Sequence, residues 1–193
     1  MRLINIFEGS PDTPQGSRSK DLNIGKLWLL TELKRLGNDK FDTVYVLGSW
    51  YGSMAPYLLY KHISFERAFF VDIDPKNTDY VKNMVHKIGL TDKIVPVTQD
   101  GNTTDYQGDN ILVINTSTND MDNQGWFDNI PQGSTVALEG RDQQWDNKEN
   151  VNQELTSFAN AYPVSEQYVV EERELVDMQG KPYNRFLMIG IFR

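Results

Sequence analysis

An α/β fold, with a mostly parallel sheet covered by helices on both faces, is predicted by three observations in this 193-residue sequence. Five short apolar runs recur along the chain, each closing on a glycine or a polar residue. Helical stripes separate most of them. The last two strand-like runs are joined by a turn alone, which makes them an antiparallel hairpin.

The elements follow in order. Residues 8–20 (EGSPDTPQGSRSK) are polar and rich in Gly, Pro and Ser, so residues 1–20 read as a flexible N-terminal arm. A helix opens near Asp21. Leu22, Leu29, Leu33 and Leu36 form one face of it, and Gly37-Asn38 stops it. Thr43–Leu47 is the first strand and ends on Gly48. A short helix is expected over Met54–Lys61, with Pro56 in its first turn. Arg67–Val71 is the second strand and ends on Asp72. Tyr80, Val81, Met84, Val85 and Ile88 make 77–88 an amphipathic helix capped by Gly89, while Asp74-Pro75 reads as a turn. Ile94–Thr98 ends at Asp100-Gly101, Ile111–Ile114 ends at Asn115, and Ser134–Leu138 ends at Glu139. Val151, Leu155, Phe158, Ala159 and Tyr162 mark a last helix. Gln167–Leu175 and Arg185–Phe192 form the hairpin.

Composition narrows the function. There are 27 acidic and 19 basic residues, a net charge of −8, which disfavours a protein devoted to a nucleic-acid backbone. Absence of cysteine removes disulfides, thiolate metal sites and a cysteine nucleophile. Two histidines, His62 and His86, fall on expected helix surfaces, and no metal site is expected. No apolar run approaches the roughly 20 residues of a membrane span. Met1–Phe7 has no signal-peptide pattern. A single cytoplasmic domain over 1–193 is the expectation.

Ligands of such sheets sit beyond the carboxyl ends of the strands. There the chain offers Gly48-Ser49-Trp50-Tyr51-Gly52, then Asp72, then Asp100. A dinucleotide fingerprint needs a glycine at position 50, where the backbone meets the pyrophosphate; here it is Trp50. No phosphate-cradling Gly-Lys-Ser/Thr loop exists either. Asp72 lies at the spacing from Gly48 at which an acid takes ribose hydroxyls, and Asp100 is placed to accept from an adenine amine. A nucleoside without a pyrophosphate fits this set, and S-adenosylmethionine (SAM) fits it better than NAD or FAD.

VYVLGSWYG, FFVDIDP and TQDG resemble successive motifs of the class I SAM-dependent methyltransferase family, over Val44–Glu139, about half the chain. LGSWYG with INTSTNDM and WFDNIPQG is also similar to small phage and bacterial methyltransferase-like proteins. The resemblance implies a Rossmann-like sheet of seven strands in the order 3-2-1-4-5-7-6. It implies cofactor contacts from Gly48, Ser49, Trp50, Tyr51, Gly52, Asp72, Ile73, Asp100, Gly101, Asn102 and Asn115. The loop after the fourth strand, 115–122, and the end of the fifth are the acceptor-side candidates, with Asn115, Asp120, Glu139 and Asp142 as catalytic residues. Trp126 and Trp145 are acceptor-pocket or packing residues. Arg18 and Lys20 would fold the arm over the cofactor.

Two departures stand out. Val46 occupies the place of an acid found in many members. The 115–120 loop lacks the Asn-Pro-Pro-Tyr signature of base-amine methylation, and cytosine-C5 chemistry needs an absent cysteine. The expected function is methyl transfer to a small molecule. The alternatives are a nucleic-acid methyltransferase, aminopropyl transfer or cleavage of SAM, and a SAM-binding protein without turnover.

Overall fold

A computed structural model describes residues 20–51, 56–121, 124–143 and 151–193. The arm over 1–19, with Arg18, lies outside the described residues, as do Gly52, Met54, Asp122 and Trp145. The helices are α1 (Lys20–Arg35), α2 (Pro56–His62), α3 (Pro75–Lys87), α4 (Gly125–Asp128) and α5 (Leu155–Ala161). The strands are β1 (Lys40–Leu47), β2 (Ser64–Asp72), β3 (Ile94–Thr98), β4 (Ile111–Asn115), β5 (Thr135–Arg141), β6 (Glu166–Val176) and β7 (Pro182–Ile191).

All seven strands join one sheet in the order β3-β2-β1-β4-β5-β7-β6. The first five run parallel, and β7 pairs antiparallel with both β5 and β6. This is the Rossmann-like methyltransferase order expected above.

Alternate residues of each strand feed two cores. Val44, Val46, Phe70, Ile114, Ala137, Leu187 and Ile189 pack with Leu29, Leu30 and Leu33 of α1, Leu59 of α2, and Val81 and Val85 of α3. Tyr45, Leu47, Val71, Val113, Leu138, Phe186 and Met188 pack with Trp126 and Phe127 of α4 and Phe158 of α5. Trp126 is fully buried there, so it belongs to the core.

Several boundaries differ from expectation. α3 starts two residues early because the Asp74 carboxylate caps it, accepting from Lys76 N at 2.8 Å, and Pro75 fits the first turn. α5 starts at Leu155 rather than Val151, where Glu154 and Ser157 form a reciprocal cap. β5 runs on to Arg141 through Glu139, both buried, because β7 lies alongside it.

Candidate functional site

β1 ends in a turn that only an unusual backbone can make. Gly48 has φ +56 and Trp50 φ +45, both left-handed. A Cβ on Gly48 would also stand 2.9 Å from Ser117 Cβ. The turn reaches across the end of β2: Ser49 N donates to the Val71 carbonyl at 3.0 Å, and Trp50 N donates to Asp72 Oδ2 at 2.5 Å. The Ser49 hydroxyl is buried without a hydrogen-bond partner among the described residues.

Position 50 keeps the conformation that favours glycine although it carries the largest side chain. The indole lies beside Tyr51, ring centroids 6.0 Å apart, and Tyr51 meets Tyr80 of α3 edge-on at 5.7 Å. A left-handed non-glycine costs about 1–2 kcal/mol. Trp50→Gly is therefore expected to be more stable than Trp50→Ala by about 1 kcal/mol in urea unfolding, reversing the usual order of these residues. Equal stability, or a more stable alanine, would contradict the strain.

Asp72 is the centre of this end of the sheet. Its Oδ1 accepts from Asp74 N at 2.9 Å and Asn77 Nδ2 at 3.1 Å, and its Oδ2 accepts from Trp50 N. A carboxylate offers about four acceptor positions. Three are filled by described residues, which among these leaves Oδ2 one position: room for one ribose hydroxyl, and not for both without displacing a chain donor. Asn77, five residues on, was not singled out from the sequence; its signal was a polar residue on the buried side of an amphipathic helix. Ile73, the next residue after Asp72, is 71% exposed, an apolar side chain in the open.

Asp100 is exposed and caps a short 3-10 turn over Gly101–Thr103. Its Oδ1 accepts from Asn102 N at 2.9 Å and Asn102 Nδ2 at 3.1 Å; Oδ2 has no partner among the described residues. The Asn102 carboxamide is used inside the fold, since its Oδ1 also accepts from Trp126 N at 3.2 Å. A Cβ on Gly101 would stand 2.6 Å from the Met121 methyl. Met121 Sδ in turn accepts from Asn115 Nδ2 at 3.1 Å. Met121 thus joins the loops after β3 and β4, and no local pattern in the sequence announced it.

The acceptor-side candidates separate. Asn115 is fully buried, with Oδ1 accepting from Ser117 N and Nδ2 on Met121, so it shapes its own loop. Glu139 is fully buried beneath α1 and paired with Arg185. Asp142 accepts from Asn184 N at 2.8 Å on Oδ1 and from Asn184 Nδ2 at 2.9 Å on Oδ2. Asp120 and Asp142 are both partly exposed carboxylates, but Asn184 takes both oxygens of Asp142, whereas Asp120, 32% exposed in its side chain, is held on Oδ1 by Arg141 Nη2 at 3.1 Å. Burial lowers the Arg141 pKa, and the adjoining Asp120 charge offsets part of that fall. The turn residues, Asp72 and Asp100 therefore gather at one end of the sheet. Asp120 stands on the neighbouring loop, while Glu139 and Asp142 are engaged by β7.

No protein-family model matches the chain, and no curated protein matches it. Solved structures match in fold. A SAM-dependent methyltransferase from Aquifex aeolicus superposes with TM-score 0.55 and 15% identity, over 92% of this chain and 98% of that one. The tRNA m1G37 methyltransferase of M. jannaschii gives TM-score 0.57 and 16% identity, over 91% of this chain and 51% of its own. The O-MT segment of StiE gives TM-score 0.61 and 13% identity, over 89% and 74%. At these identities the likeness is one of fold. Among the described residues no helix is long and apolar enough to cross a membrane.

Proposed function

We propose that the protein is a SAM-dependent methyltransferase acting on a small-molecule acceptor. The observation behind this reading is Asp72: a carboxylate at the end of β2, tied by Trp50 N–H to the left-handed turn after β1, with one acceptor position left. That position suits one ribose hydroxyl, and the free Oδ2 of Asp100 suits an adenine amine. The methyltransferase neighbours support the same cofactor. A net charge of −8 favours a small acceptor over a nucleic acid. The single domain and the cytoplasmic setting belong to the same proposal.

When bound, SAM supplies an electrophilic methyl group on a sulfonium. The chain contributes chiefly placement of donor against acceptor. Asp120, oriented by Arg141 and open to solvent, takes the acceptor's proton where one must be lost. Asn115, Glu139 and Asp142 hold the architecture around it.

A second reading, binding without turnover, is favoured by one observation: all four acceptor-side candidates already have partners within the fold. Thermal unfolding with SAM, S-adenosylhomocysteine and NAD tests the cofactor. Ligand at 100 times its dissociation constant stabilises by about 2.7 kcal/mol, a rise of roughly 5–11 °C. The rise is expected with both adenosyl compounds, absent with NAD and lost in Asp72→Ala. No rise with either adenosyl compound removes the cofactor assignment. Mass spectrometry of products after an acceptor screen then separates transfer from binding alone.

A further inference from the structure

We propose that Arg185 is a positioning residue, which holds the loop after β4 so that Ser117 braces the turn after β1; the inference rests on that turn being the cofactor turn. Glu139 and Arg185 meet on the α1 face of the sheet, with Arg185 Nε at 3.0 Å and Nη2 at 2.7 Å from Glu139 Oε2. Both side chains are almost wholly buried, 0% and 2% exposed. A pair this dry spends most of its attraction on desolvation and adds little net stability. Burial by itself would lower the arginine's pKa; Glu139 and Tyr183 more than reverse that, and the net direction is upward.

The pair is built into its surroundings. Arg185 Nη2 also donates to the Thr116 carbonyl at 3.4 Å. One residue further, Ser117 N donates to Asn115 Oδ1 at 2.9 Å, and Ser117 Oγ donates to the Gly48 carbonyl at 3.2 Å. Loop and turn are in contact there, since a Cβ on Gly48 would strike Ser117. The rest of the loop is fastened to β5. Thr118 Oγ1 donates to the Glu139 carbonyl at 2.7 Å. The Asn119 carboxamide accepts from Arg141 N at 2.9 Å and donates to Arg141 O at 3.1 Å, as a neighbouring strand would. Thr116 itself is held by Arg185.

α1 closes the arrangement from above. A Cβ on Gly25 would stand 2.6 Å from Arg185 Nε and 3.1 Å from Glu139 Oε1, so glycine is what lets the helix lie on the pair. Two residues before Arg185, Tyr183 donates to Asp21 Oδ2 at 3.0 Å, in the first turn of α1. One guanidinium thus joins the first helix, the last strand and the loop beside the cofactor turn. It needs a fork of donors to serve a carboxylate and a carbonyl together, which a lysine ammonium lacks.

Hydrogen exchange of Arg185→Lys, with S-adenosylhomocysteine titrated in parallel, tests this. Amides of 116–120 and 48–51 are expected to exchange about tenfold faster, with β2 and β3 unchanged. The dissociation constant is expected to rise about tenfold. Exchange left unaltered at 116–120 and 48–51, or accelerated evenly across the sheet, overturns the proposal. If the lysine variant does not fold, Gly25→Ala displaces the same guanidinium while keeping its charge, and its exchange is judged by the same two outcomes. Wild-type protein that fails to bind S-adenosylhomocysteine removes the cofactor reading alone, because the exchange pattern still decides whether Arg185 holds the turn.

Discussion

Glu139→Ala is expected to destabilise the protein by about 3–5 kcal/mol, because it leaves the Arg185 guanidinium buried without its counter-charge. Both partners lie inside the core formed by α1 on β5 and β7, shielded from solvent. For a chain of this size the loss lowers the melting temperature by roughly 6–20 °C. The double replacement Glu139→Leu with Arg185→Met removes both charges and is expected to recover most of that stability. Urea unfolding of the single and double variants checks both statements. A single variant costing under about 1 kcal/mol would mean that water reaches the arginine.

Gly48→Ala combines two penalties at one atom. The left-handed backbone costs a residue with a Cβ about 1–2 kcal/mol, and the new methyl group falls 2.9 Å from Ser117 Cβ. The expected loss is about 2–3 kcal/mol, together with loss of the thermal shift by S-adenosylhomocysteine, because the loop and the turn are forced apart. Gly37 provides the control: it has φ +73 and nothing among the described residues within 4 Å of its ideal Cβ. Gly37→Ala is expected to cost about 1 kcal/mol and to leave ligand binding intact. Equal losses at the two glycines would show that the contact with Ser117 yields freely.

The sheet was legible because its inner strands are nearly continuous apolar runs. Ile111–Ile114 and the second half of β1 could hardly be anything else once helical stripes flanked them. The end of β5 was not legible. Glu139-Gly140-Arg141 looks like the start of a polar loop, and only Arg185, 46 residues further along, makes a buried glutamate tolerable there. For the candidate site, the spacing from Gly48 to Asp72 located the turn and its acid. What spacing could not show is that Asn115 and Asn102 are taken up by Met121 and by the Trp126 backbone, partners supplied by tertiary packing. Trp50 is a third kind of case. Its backbone has the left-handed form that favours glycine, and a residue name does not report a dihedral.

The outer strands of the sheet bear on how copies of this chain meet. β3 is five residues long and carries Pro96 at its middle, a position with no N–H to offer an incoming strand. β6 is eleven residues long, a length that invites strand addition, but Glu166, Glu171, Glu172 and Glu174 crowd it with negative charge. A second copy approaching β6 with its own β6 would bring two glutamate-rich strands together. The two margins are thus closed to edge-to-edge growth by unlike means, a missing donor on one side and like-charge repulsion on the other.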